Sequence, residues 1–460
     1  MDTEVVDRLV AALGADRVQR GTDSDPRFHR DWTAAAPVVP LAVVLPRETR
    51  EVSRALALCH AAGVPVVPQG GLTGLVGGAQ PQADAVVINL SRMNAPPRVD
   101  AVARTVTAQA GVTLQALQEA ADAAGLMFPV DFGARGSCQV GGAISTNAGG
   151  VQVMRFGMMR AQVLGLEAVL ADGEVIDSMN ALMKNNTGHD LKQLFIGTEG
   201  TLGIVTQAVL RLAERPAGRS VALARVPDVT AAYQVLRRLG RALPGLTAFE
   251  AMWPDYYAFA TAALGEAPLP LDEGLTLLIE LQGPDPQGDD ERLTAELAEL
   301  MGAGTVADAT VAQSGVQAER FWALREANAE LMRHFKRLSG YDVSIAAGAT
   351  EAFVASCRAA LAALSPPIRL LCFGHLGDGN LHLVVATDDA PGVDARQVKR
   401  CVHDAVGAFR GSISAEHGIG RDKRDDLGIT RNAAEIALMR RLKAALDPSH
   451  ILNPGKLLPA

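Results

Sequence analysis

Two short segments of this 460-residue chain hold the residue types from which a metal site and a proton-transfer site could be built. The first, GHLGDGNLH at Gly374–His382, contains two histidines, and the second, SAEHGIG at Ser414–Gly420, adds Glu416 and His417. Two imidazoles and a carboxylate form a common ligand set for a divalent metal, with open positions left for a substrate. The remaining imidazole, His417, is then a candidate base for removing a proton from a substrate hydroxyl.

The first two histidines flank a strong turn signal. Strand-like runs lie on both sides of Asp378-Gly379, and Asp-Gly is among the strongest short hairpin signals. A two-residue turn there would pair His375 directly with His382 and place their Cβ atoms about 4.5–5.5 Å apart. The two imidazoles could then ligate one ion, with Glu416 as the third ligand. The alternative is that both histidines are surface residues or hydrogen-bonded core groups.

Length and composition restrict the class of protein. The chain is longer than the size at which single cores stop growing, so two or three domains are expected. A hydrophobic content of 48% with 20% charged residues is typical of a globular protein with substantial cores. The net charge of −8 and the lack of a basic run argue against a nucleic-acid partner.

The cysteines and the N-terminus bear on the cellular compartment. Five cysteines, an odd number without a CxxC pair, indicate neither a disulfide framework nor a thiolate zinc site. Acidic residues precede the first apolar residues, whereas a secretory leader has a basic start and a longer apolar core. No apolar run in the sequence approaches the ~20 residues of a membrane span. Together these features predict a cytoplasmic protein.

The sequence pattern suggests three parts. Residues 1–215 alternate strands and helices in the manner of an α+β unit. Residues 216–410 alternate alanine-rich helices with strand-like runs and include a predicted helix over Ala318–Leu338. Residues 411–460 form a final segment, in which a helix over Asn432–Leu446 precedes the tail NPGKLLP.

Glycine-rich segments in the first part predict an anion site. Pro68–Ala79, PQGGLTGLVGGA, holds five glycines in twelve residues, and exposed backbone N–H groups of such a loop can surround a pyrophosphate. Because no helix follows it, the loop does not have the Rossmann pattern, and alone it could be a structural turn. Two more loops are rich in Gly, Ser and Thr, at Asp131–Gly150 and Ile196–Thr206. Together the three loops favour a dinucleotide-binding site over a set of purely structural turns.

Six motifs in order give the chain a family resemblance. PQGGLTGLVGGA, GSCQVGGAISTNAGG, LKQLFIGTEGTLGIVT, GHLGDGNLHL, SAEHGIG and NPGKLLP resemble those of the FAD-dependent 2-hydroxyacid dehydrogenases of the vanillyl-alcohol-oxidase superfamily. The likeness covers essentially the whole chain and is greatest to the branch that acts on D-2-hydroxyglutarate. D-lactate dehydrogenases and glycolate oxidase subunits are similar as well.

The resemblance implies an α+β fold: an FAD-binding domain of the PCMH type with two α/β subdomains, a substrate-binding cap domain with an antiparallel sheet, and a C-terminal segment that returns to the flavin. It also implies which residues bind FAD. They lie in the glycine-rich loops and the tail: Pro68, Gly70, Gly71, Thr73, Gly74, Ser137, Gly141, Gly142, Thr146, Asn147, Gly149, Ile204 and Asn453.

The catalytic roles follow from the same resemblance. His375, His382 and Glu416 would bind a divalent metal, expected to be zinc, and His417 would be the base. Arg325, in FWALREA, matches the arginine that holds a substrate carboxylate.

Three positions depart from the pattern of the family. Some relatives attach the flavin to a histidine that directly follows the paired glycines, and this chain has Leu72 there, so FAD is expected to be non-covalent. The glutarate enzymes usually have a basic residue where this chain has Gly340, and an asparagine where it has Val384.

The departures at Gly340 and Val384 concern the second carboxylate of glutarate. Arg333, Lys336 or Arg337 could hold it instead, unless these are simply residues of a solvated helix face. A different D-2-hydroxy acid would equally explain the departures.

The expected reaction is the oxidation of a D-2-hydroxy acid, with D-2-hydroxyglutarate as first choice and D-lactate or another D-2-hydroxy acid as the alternative. The resemblance implies hydride transfer to flavin, followed by electron transfer to an electron-transfer flavoprotein, a quinone or a cytochrome, with a homodimer as one option for the assembly. A metal-dependent hydrolase built on His375, His382 and Glu416 is a competing hypothesis, and a flavin-binding module without turnover is another. The glycine-rich loops argue against the hydrolase, and His417 argues against the inert module.

Overall fold

The computed structural model describes residues 2–33, 35–365 and 367–459. The chain forms two compact units. Unit 1 comprises Met1–Gly150, Phe156–Arg215 and Glu416–Ala460, and unit 2 comprises Val151–Arg155 and Pro216–Ala415. The first boundary falls after Arg215, where the composition of the sequence changes, and the second falls at Ala415, five residues beyond the predicted position.

The residues up to 215 contain short strands and amphipathic helices. The strands are β1 Val18–Arg20, β2 Ala42–Val44, β3 Val66–Gln69, β4 Val86–Asn89, β5 Arg98–Asp100, β6 Thr105–Gln109, β7 Leu126–Met127, β8 Val163–Val169, β9 Val175–Ser178, β10 Ile204–Arg211 and β11 Ala213–Glu214. The helices are α1 Asp2–Leu13, α2 Thr49–Ala62, α3 Leu114–Ala123, α4 Val140–Thr146, α5 Val153–Phe156 and α6 Met159–Gln162.

Capping explains where α3 begins. The Thr113 side chain accepts a hydrogen bond from the Ala116 amide, and α3 follows directly. Leu114, Leu117 and Ala121 recur at helical spacing and are buried, so one face of the helix joins the core.

Unit 1 has two principal sheets. One has the order β1-β2-β4-β3, with parallel pairing of β2, β4 and β3, and the other is antiparallel with the order β5-β6-β10-β8-β9. Each sheet packs its own cluster of buried Val, Leu, Ile and Ala side chains. This arrangement is the pair of α/β subdomains that the family resemblance implies.

Unit 2 is built on one large sheet. Its strands are β12 Gly218–Val226, β13 Leu246–Met252, β14 Leu275–Gly283, β15 Asp308–Val311, β16 Leu338–Ser344, β17 Arg369–His375 and β18 Asn380–Ala386. Their order is β15-β12-β14-β13-β17-β18-β16, and all neighbouring strands are antiparallel. The antiparallel sheet expected in the second domain is therefore confirmed.

The helices of unit 2 are α7 Val229–Ala242, α8 Pro254–Leu264, α9 Pro286–Gly302, α10 Gly315–Arg325, α11 Asn328–His334, α12 Thr350–Leu364 and α13 Ala395–Ala408. The single helix predicted over Ala318–Leu338 is wrong. It ends at Arg325, a second helix begins at Asn328, and Leu338 already starts β16. The break ends α10 with the Arg325 side chain buried among the hydrophobic residues of this unit.

The final segment returns the chain to unit 1. It contains α14 Leu427–Thr430 and α15 Ala433–Leu446, the latter opened by a reciprocal cap between Asn432 and Glu435. The backbone then adds to the edge of β3: the Val66 amide donates to the Ile451 carbonyl, and the Asn453 amide donates to the Val66 carbonyl, both at 2.7 Å. The tail is thus a hydrogen-bonded part of the first sheet of unit 1.

One stretch of helix in unit 2 meets the length and composition of a membrane span. It covers Ala347–Leu364, 18 residues, although the sequence was expected to contain no such run. Phe353, Val354, Cys357 and Leu361 on its inner face are buried, and the helix packs against α13. Core helices of globular proteins have the same length and composition, so one helix of this kind does not by itself establish a membrane span.

Candidate active site

The histidine hairpin has a longer loop than predicted. His375 pairs with Asn380, and His382 pairs with Phe373, so the loop has four residues and the direct pairing of the two histidines is wrong. The turn is closed instead by the amides of Asp378 and Gly379, which both donate to the His375 carbonyl. Asp378-Gly379 is therefore the second half of the turn and not its centre.

The histidines nevertheless share one face of the sheet. The register differs from the predicted one by two residues, and side chains alternate faces with a period of two, so His375 and His382 stay on the same side. They are diagonal neighbours, which lie within reach of long side chains. Their ring centroids are 5.3 Å apart and the rings are nearly perpendicular.

A buried carboxylate that the sequence analysis missed lies beside His375. Glu250 Oε1 is 2.7 Å from His375 Nδ1, and Glu250 Oε2 accepts a hydrogen bond from Arg325 Nε at 2.7 Å. Burial alone would raise the pKa of the Glu250 carboxyl. The contact with His375 and the ion pair with Arg325 outweigh that effect and lower the pKa to about 2. Glu250 is therefore ionised at neutral pH.

Arg325 is placed to bind an anion with the outer end of its guanidinium group. Its side chain is 5% exposed, and its guanidinium lies 4.8 Å from the centre of the Phe373 ring. Only Nε forms a hydrogen bond within the described part of the chain, and that bond is to Glu250. The two outer nitrogens remain for a substrate carboxylate, whose geometry matches the fork of an arginine.

Asp342 links the second histidine to the chain that precedes Glu416. It pairs in register with His382, and its Oδ1 accepts from Asn380 Nδ2 at 2.8 Å. Its Oδ2 accepts from the Ala415 amide at 3.0 Å. Residue 415 is therefore fixed against β16, the strand next to the one that carries His382, and Glu416 is the next residue of the chain.

The histidine side chains of unit 2 offer the kind of donor atoms that a divalent metal binds. His375 and His382 present neighbouring imidazoles, and His375 Nδ1 contacts a carboxylate, as metal-binding histidines usually do. A nitrogen-rich set completed by one carboxylate oxygen suits zinc.

Unit 1 contains a cavity of about 370 Å³ bordered by the glycine-rich loops. Eleven of the thirteen residues predicted to contact FAD line it: Pro68, Gly70, Gly71, Thr73, Gly74, Gly141, Gly142, Thr146, Gly149, Ile204 and Asn453. Three buried acceptors in this lining, Gln69 Oε1, Gln139 Oε1 and Asn453 Oδ1, have no hydrogen-bond partner in the described residues. A nucleotide with N–H and O–H donors would satisfy them, so the cavity fits FAD.

Ser137 and Asn147 do not line this cavity. The Ser137 carbonyl packs against Gly71, where a Cβ atom would lie only 1.8 Å from the oxygen, so only glycine fits there. Asn147 ends α4 in the left-handed conformation with φ of 51°, and its Oδ1 accepts from the Arg160 amide at 2.8 Å. Both residues shape the loops that border the cavity.

The chain turns sharply after Glu416 and His417, and both residues line the cavity of unit 1. Gly418 has φ of 85°, which favours glycine and redirects the backbone. Glu199, which is partly buried, then accepts hydrogen bonds from the Ile419 and Gly420 amides at 2.8 and 2.7 Å. Burial raises the pKa of the Glu199 carboxyl, while these two backbone bonds lower it by a smaller amount.

The two departures from the glutarate enzymes fall at one place in the sheet. Gly340 on β16 pairs directly with Val384 on β18, which in turn pairs with Leu371 on β17. This row is two residues from His382 along β18 and lies on the same face. It contains no charged residue and no hydrogen-bonding side chain.

The three basic residues considered for a second carboxylate do not lie in that row. Arg333, on α11, is exposed and pairs with Glu330 one turn away. Arg337 donates to the Val393 carbonyl at 2.7 Å, and Lys336 is exposed beside it. No contact within residues 2–33, 35–365 and 367–459 directs any of them toward the histidines, and their role in binding stays a prediction.

Comparisons with known proteins agree with this architecture. The family described as FAD linked oxidases, C-terminal domain, matches residues 215–457, and an FAD binding domain matches residues 40–178. The solved structure of p-cresol methylhydroxylase superposes with a TM-score of 0.77 at 16% identity, covering 99% of this chain and 96% of that one. Alkyldihydroxyacetonephosphate synthase gives 0.76 at 19% identity, covering 98% and 84%.

Several curated relatives match most or all of this chain and share one name. D-2-hydroxyglutarate dehydrogenase of Xanthomonas citri pv. viticola is 42% identical, over 98% of this chain and 96% of the relative. The Stutzerimonas stutzeri enzyme of that name is 35% identical over the full length of both, and the mitochondrial Bos taurus enzyme is 38% identical over 93% and 79%.

The fold, the glycine-lined cavity and the two matching family models define a two-domain FAD-binding protein. Within that class, the chain belongs to the FAD-linked oxidase family that includes the D-2-hydroxyglutarate dehydrogenases. It is an FAD-dependent dehydrogenase acting on a CH–OH group, and the competing hydrolase and inert-module hypotheses are wrong.

Acid precipitation should release the flavin from this enzyme. Leu72 occupies the position where some relatives carry the flavin-linked histidine, and leucine has no nucleophilic atom. We expect the yellow colour to remain in the supernatant after precipitation with trichloroacetic acid, as measured by absorbance at the flavin bands. Colour retained in the washed pellet would contradict non-covalent binding.

Proposed function

We propose that this enzyme oxidises a D-2-hydroxy acid to the 2-oxo acid, with D-2-hydroxyglutarate as the substrate and a divalent metal, zinc, as a second cofactor. The name shared by full-length relatives, at 42% identity in Xanthomonas citri, supports the substrate. The main structural support for the metal is the pair of neighbouring imidazoles of His375 and His382, one of which is oriented by a buried carboxylate.

Each residue has a distinct role in this proposal. Arg325 binds the substrate carboxylate with its outer nitrogens and so orients the hydroxyl-bearing carbon. His375, His382 and Glu416 hold the metal, which when bound makes the substrate hydroxyl more acidic. His417 removes the hydroxyl proton as general base. FAD, when bound, supplies the acceptor for the α-hydrogen and its electron pair.

One observation favours a second candidate, D-lactate or another D-2-hydroxy acid with a short apolar side chain. The row formed by Gly340, Val384 and Leu371 offers no partner for a second carboxylate. A buried carboxylate without a partner is costly, whereas a methyl group or a short alkyl chain is not.

Anaerobic bleaching of the flavin distinguishes the candidates. The purified yellow enzyme should be reduced by D-2-hydroxyglutarate, and L-2-hydroxyglutarate serves as the stereochemical control. D-lactate, D-malate and glycolate complete the panel. Reduction by D-lactate at a rate equal to or above that of D-2-hydroxyglutarate would favour the second candidate. A flavin that none of these acids bleaches would contradict the proposed function.

The oxidised flavin must be regenerated by an electron acceptor. An electron-transfer flavoprotein, a quinone and a cytochrome are the classes to be tested with the reduced enzyme. The cytoplasmic location and the homodimer remain predictions.

Removal of the metal should abolish flavin reduction and leave FAD bound. The histidine ligands lie on β17 and β18 of unit 2, whereas the FAD cavity is lined by unit 1. Dialysis against a chelator, with metal content measured by mass spectrometry and FAD by absorbance, tests this separation. Activity should return when Zn²⁺ is added back. Normal flavin reduction by fully demetallated protein would contradict the role of the metal.

A further inference from the structure

Glu250 contacts two groups that the proposed reaction uses. It lies on β13, its side chain is 1% exposed, and its two oxygens contact different partners, His375 Nδ1 and Arg325 Nε, each at 2.7 Å. All three residues belong to unit 2, and neither the sequence motifs nor the family resemblance pointed to residue 250.

We propose that Glu250 is a positioning residue, which fixes the metal-binding nitrogen of His375 and the carboxylate-binding edge of Arg325 at the same time. The inference rests on the proposed function, because it assumes that His375 binds the metal and that Arg325 binds the substrate carboxylate. Since one carboxylate orients both side chains, a change at Glu250 should affect both roles.

The effect on His375 is a choice of tautomer. Glu250 forms an ion pair with Arg325, and a carboxylate in such a pair can only accept a hydrogen bond, so His375 Nδ1 carries the proton and the lone pair lies on Nε2. Only the nitrogen with the lone pair can ligate a cation. The same bond fixes the plane of the ring, which determines where a metal bound to Nε2 would lie.

The effect on Arg325 is a choice of edge. A guanidinium group can bind a carboxylate in two ways. It can use the edge that includes Nε, or it can use the two outer nitrogens. Because Glu250 occupies Nε and the guanidinium lies over the Phe373 ring, the end with the two outer nitrogens is the one presented to a substrate. Arg325 is therefore a preorganised fork, which costs less conformational entropy on binding.

A second buried glutamate in the same sheet provides a matched control. Glu280, on β14, is 3% exposed and accepts hydrogen bonds from Trp322 Nε1 and Gln282 Nε2, both at 2.8 Å. It contacts neither His375 nor Arg325 in the described structure. Changing Glu280 thus disturbs a buried carboxylate of unit 2 without touching either functional group.

The test compares Glu250→Gln with Glu280→Gln in the full-length enzyme loaded with FAD. The amide has one acceptor where the carboxylate has two, so either Arg325 loses its partner or His375 must carry its proton on Nε2. We expect zinc affinity, measured by competition with a chromophoric chelator, to fall about 10- to 100-fold in Glu250→Gln. KM should rise as well, whereas Glu280→Gln should keep the zinc affinity and KM of the parent.

The outcomes separate this inference from the proposed function. Zinc affinity and KM that are unchanged in Glu250→Gln would overturn the positioning role and leave the proposed function intact. A parent enzyme that binds no zinc would contradict the metal in the proposed function itself, and with it the role of Glu250 toward His375. If Glu250→Gln does not fold, Glu250→Asp replaces it. That variant keeps the charge on a side chain one methylene shorter, and it should bind zinc more weakly than Glu280→Asp.

Discussion

Replacing His417 by alanine lowers the rate of flavin reduction by about a hundredfold or more, the usual scale for the loss of a general base. His417 lines the glycine-rich cavity together with Glu416, and the turn that follows is held by two backbone bonds to Glu199. The imidazole should act on the substrate proton alone, so the FAD content of the variant should equal that of the parent. Stopped-flow measurement of flavin bleaching at saturating substrate gives the rate.

His189→Ala is the matched control for this experiment. His189 is exposed in unit 1 and lies outside the cavity lining, so its loss should leave the rate of bleaching unchanged. Bleaching of His417→Ala as fast as that of the parent would remove His417 from the mechanism. A zinc content that falls with the rate would instead indicate that the substitution disturbs the neighbouring Glu416.

Replacing Arg325 by alanine should weaken the reaction of every hydroxy acid, since all of them carry a carboxylate. The loss of a charge-assisted pair, about 1.5–3 kcal/mol, corresponds to roughly a 10- to 150-fold fall in kcat/KM. A second effect is expected on stability. The substitution leaves the Glu250 carboxylate, which is 1% exposed, without its arginine, and breaking such a buried pair costs about 3–5 kcal/mol.

The two effects of Arg325→Ala are measured separately, by kcat/KM for several hydroxy acids and by denaturant unfolding followed with fluorescence. Arg333→Ala is the control, because Arg333 is an exposed arginine of the next helix and, among the residues that the structure describes, forms an ion pair with Glu330 alone. We expect it to change neither quantity for a monocarboxylate. A value of kcat/KM that survives the loss of Arg325 would mean that another group binds the substrate carboxylate.

Elements with strong local signals could be predicted from the sequence. Helix α3 begins after Thr113 and α15 after Asn432, because a capping side chain satisfies the first amides wherever the helix lies in the fold. The shared face of His375 and His382 was also predictable, although the exact register was not. A slip of two residues preserves the face, whereas the length of the loop depends on tertiary contacts such as the bond from the Gly377 amide to the Phe249 carbonyl.

The break between α10 and α11 was not predictable from helical periodicity. Neither glycine nor proline lies between Arg325 and Asn328, so no local signal ends the helix. The helix ends where Tyr256, from a distant part of unit 2, donates a hydrogen bond to the Arg325 carbonyl at 2.9 Å. This is a tertiary contact that overrides a local preference for helix.

Glu250 and Glu199 were missed because each acts on residues far from it in sequence. Glu250 lies 75 residues before Arg325 and 125 before His375, and no spacing rule spans such distances. One signal was present: Glu250 is a lone charge in the apolar strand LTAFEAM, where an ionised side chain requires a buried partner. The same signal marks Glu280 in LTLLIELQG, so it identifies buried carboxylates without telling which of them serves the site.

The return of the tail to β3 determines when this enzyme can acquire its flavin during synthesis. Asn453 Nδ2 donates to the Gly78 carbonyl across a separation of 375 residues, and both residues line the cavity. At about 5–20 residues per second, a ribosome needs roughly 20–75 s to make the chain between them. Until then the first loop has no partner from the tail. The nascent cavity therefore stays incomplete while all of unit 2 is made, and we expect tight retention of FAD only after Asn453 has been made and has bonded to Val66 and Gly78.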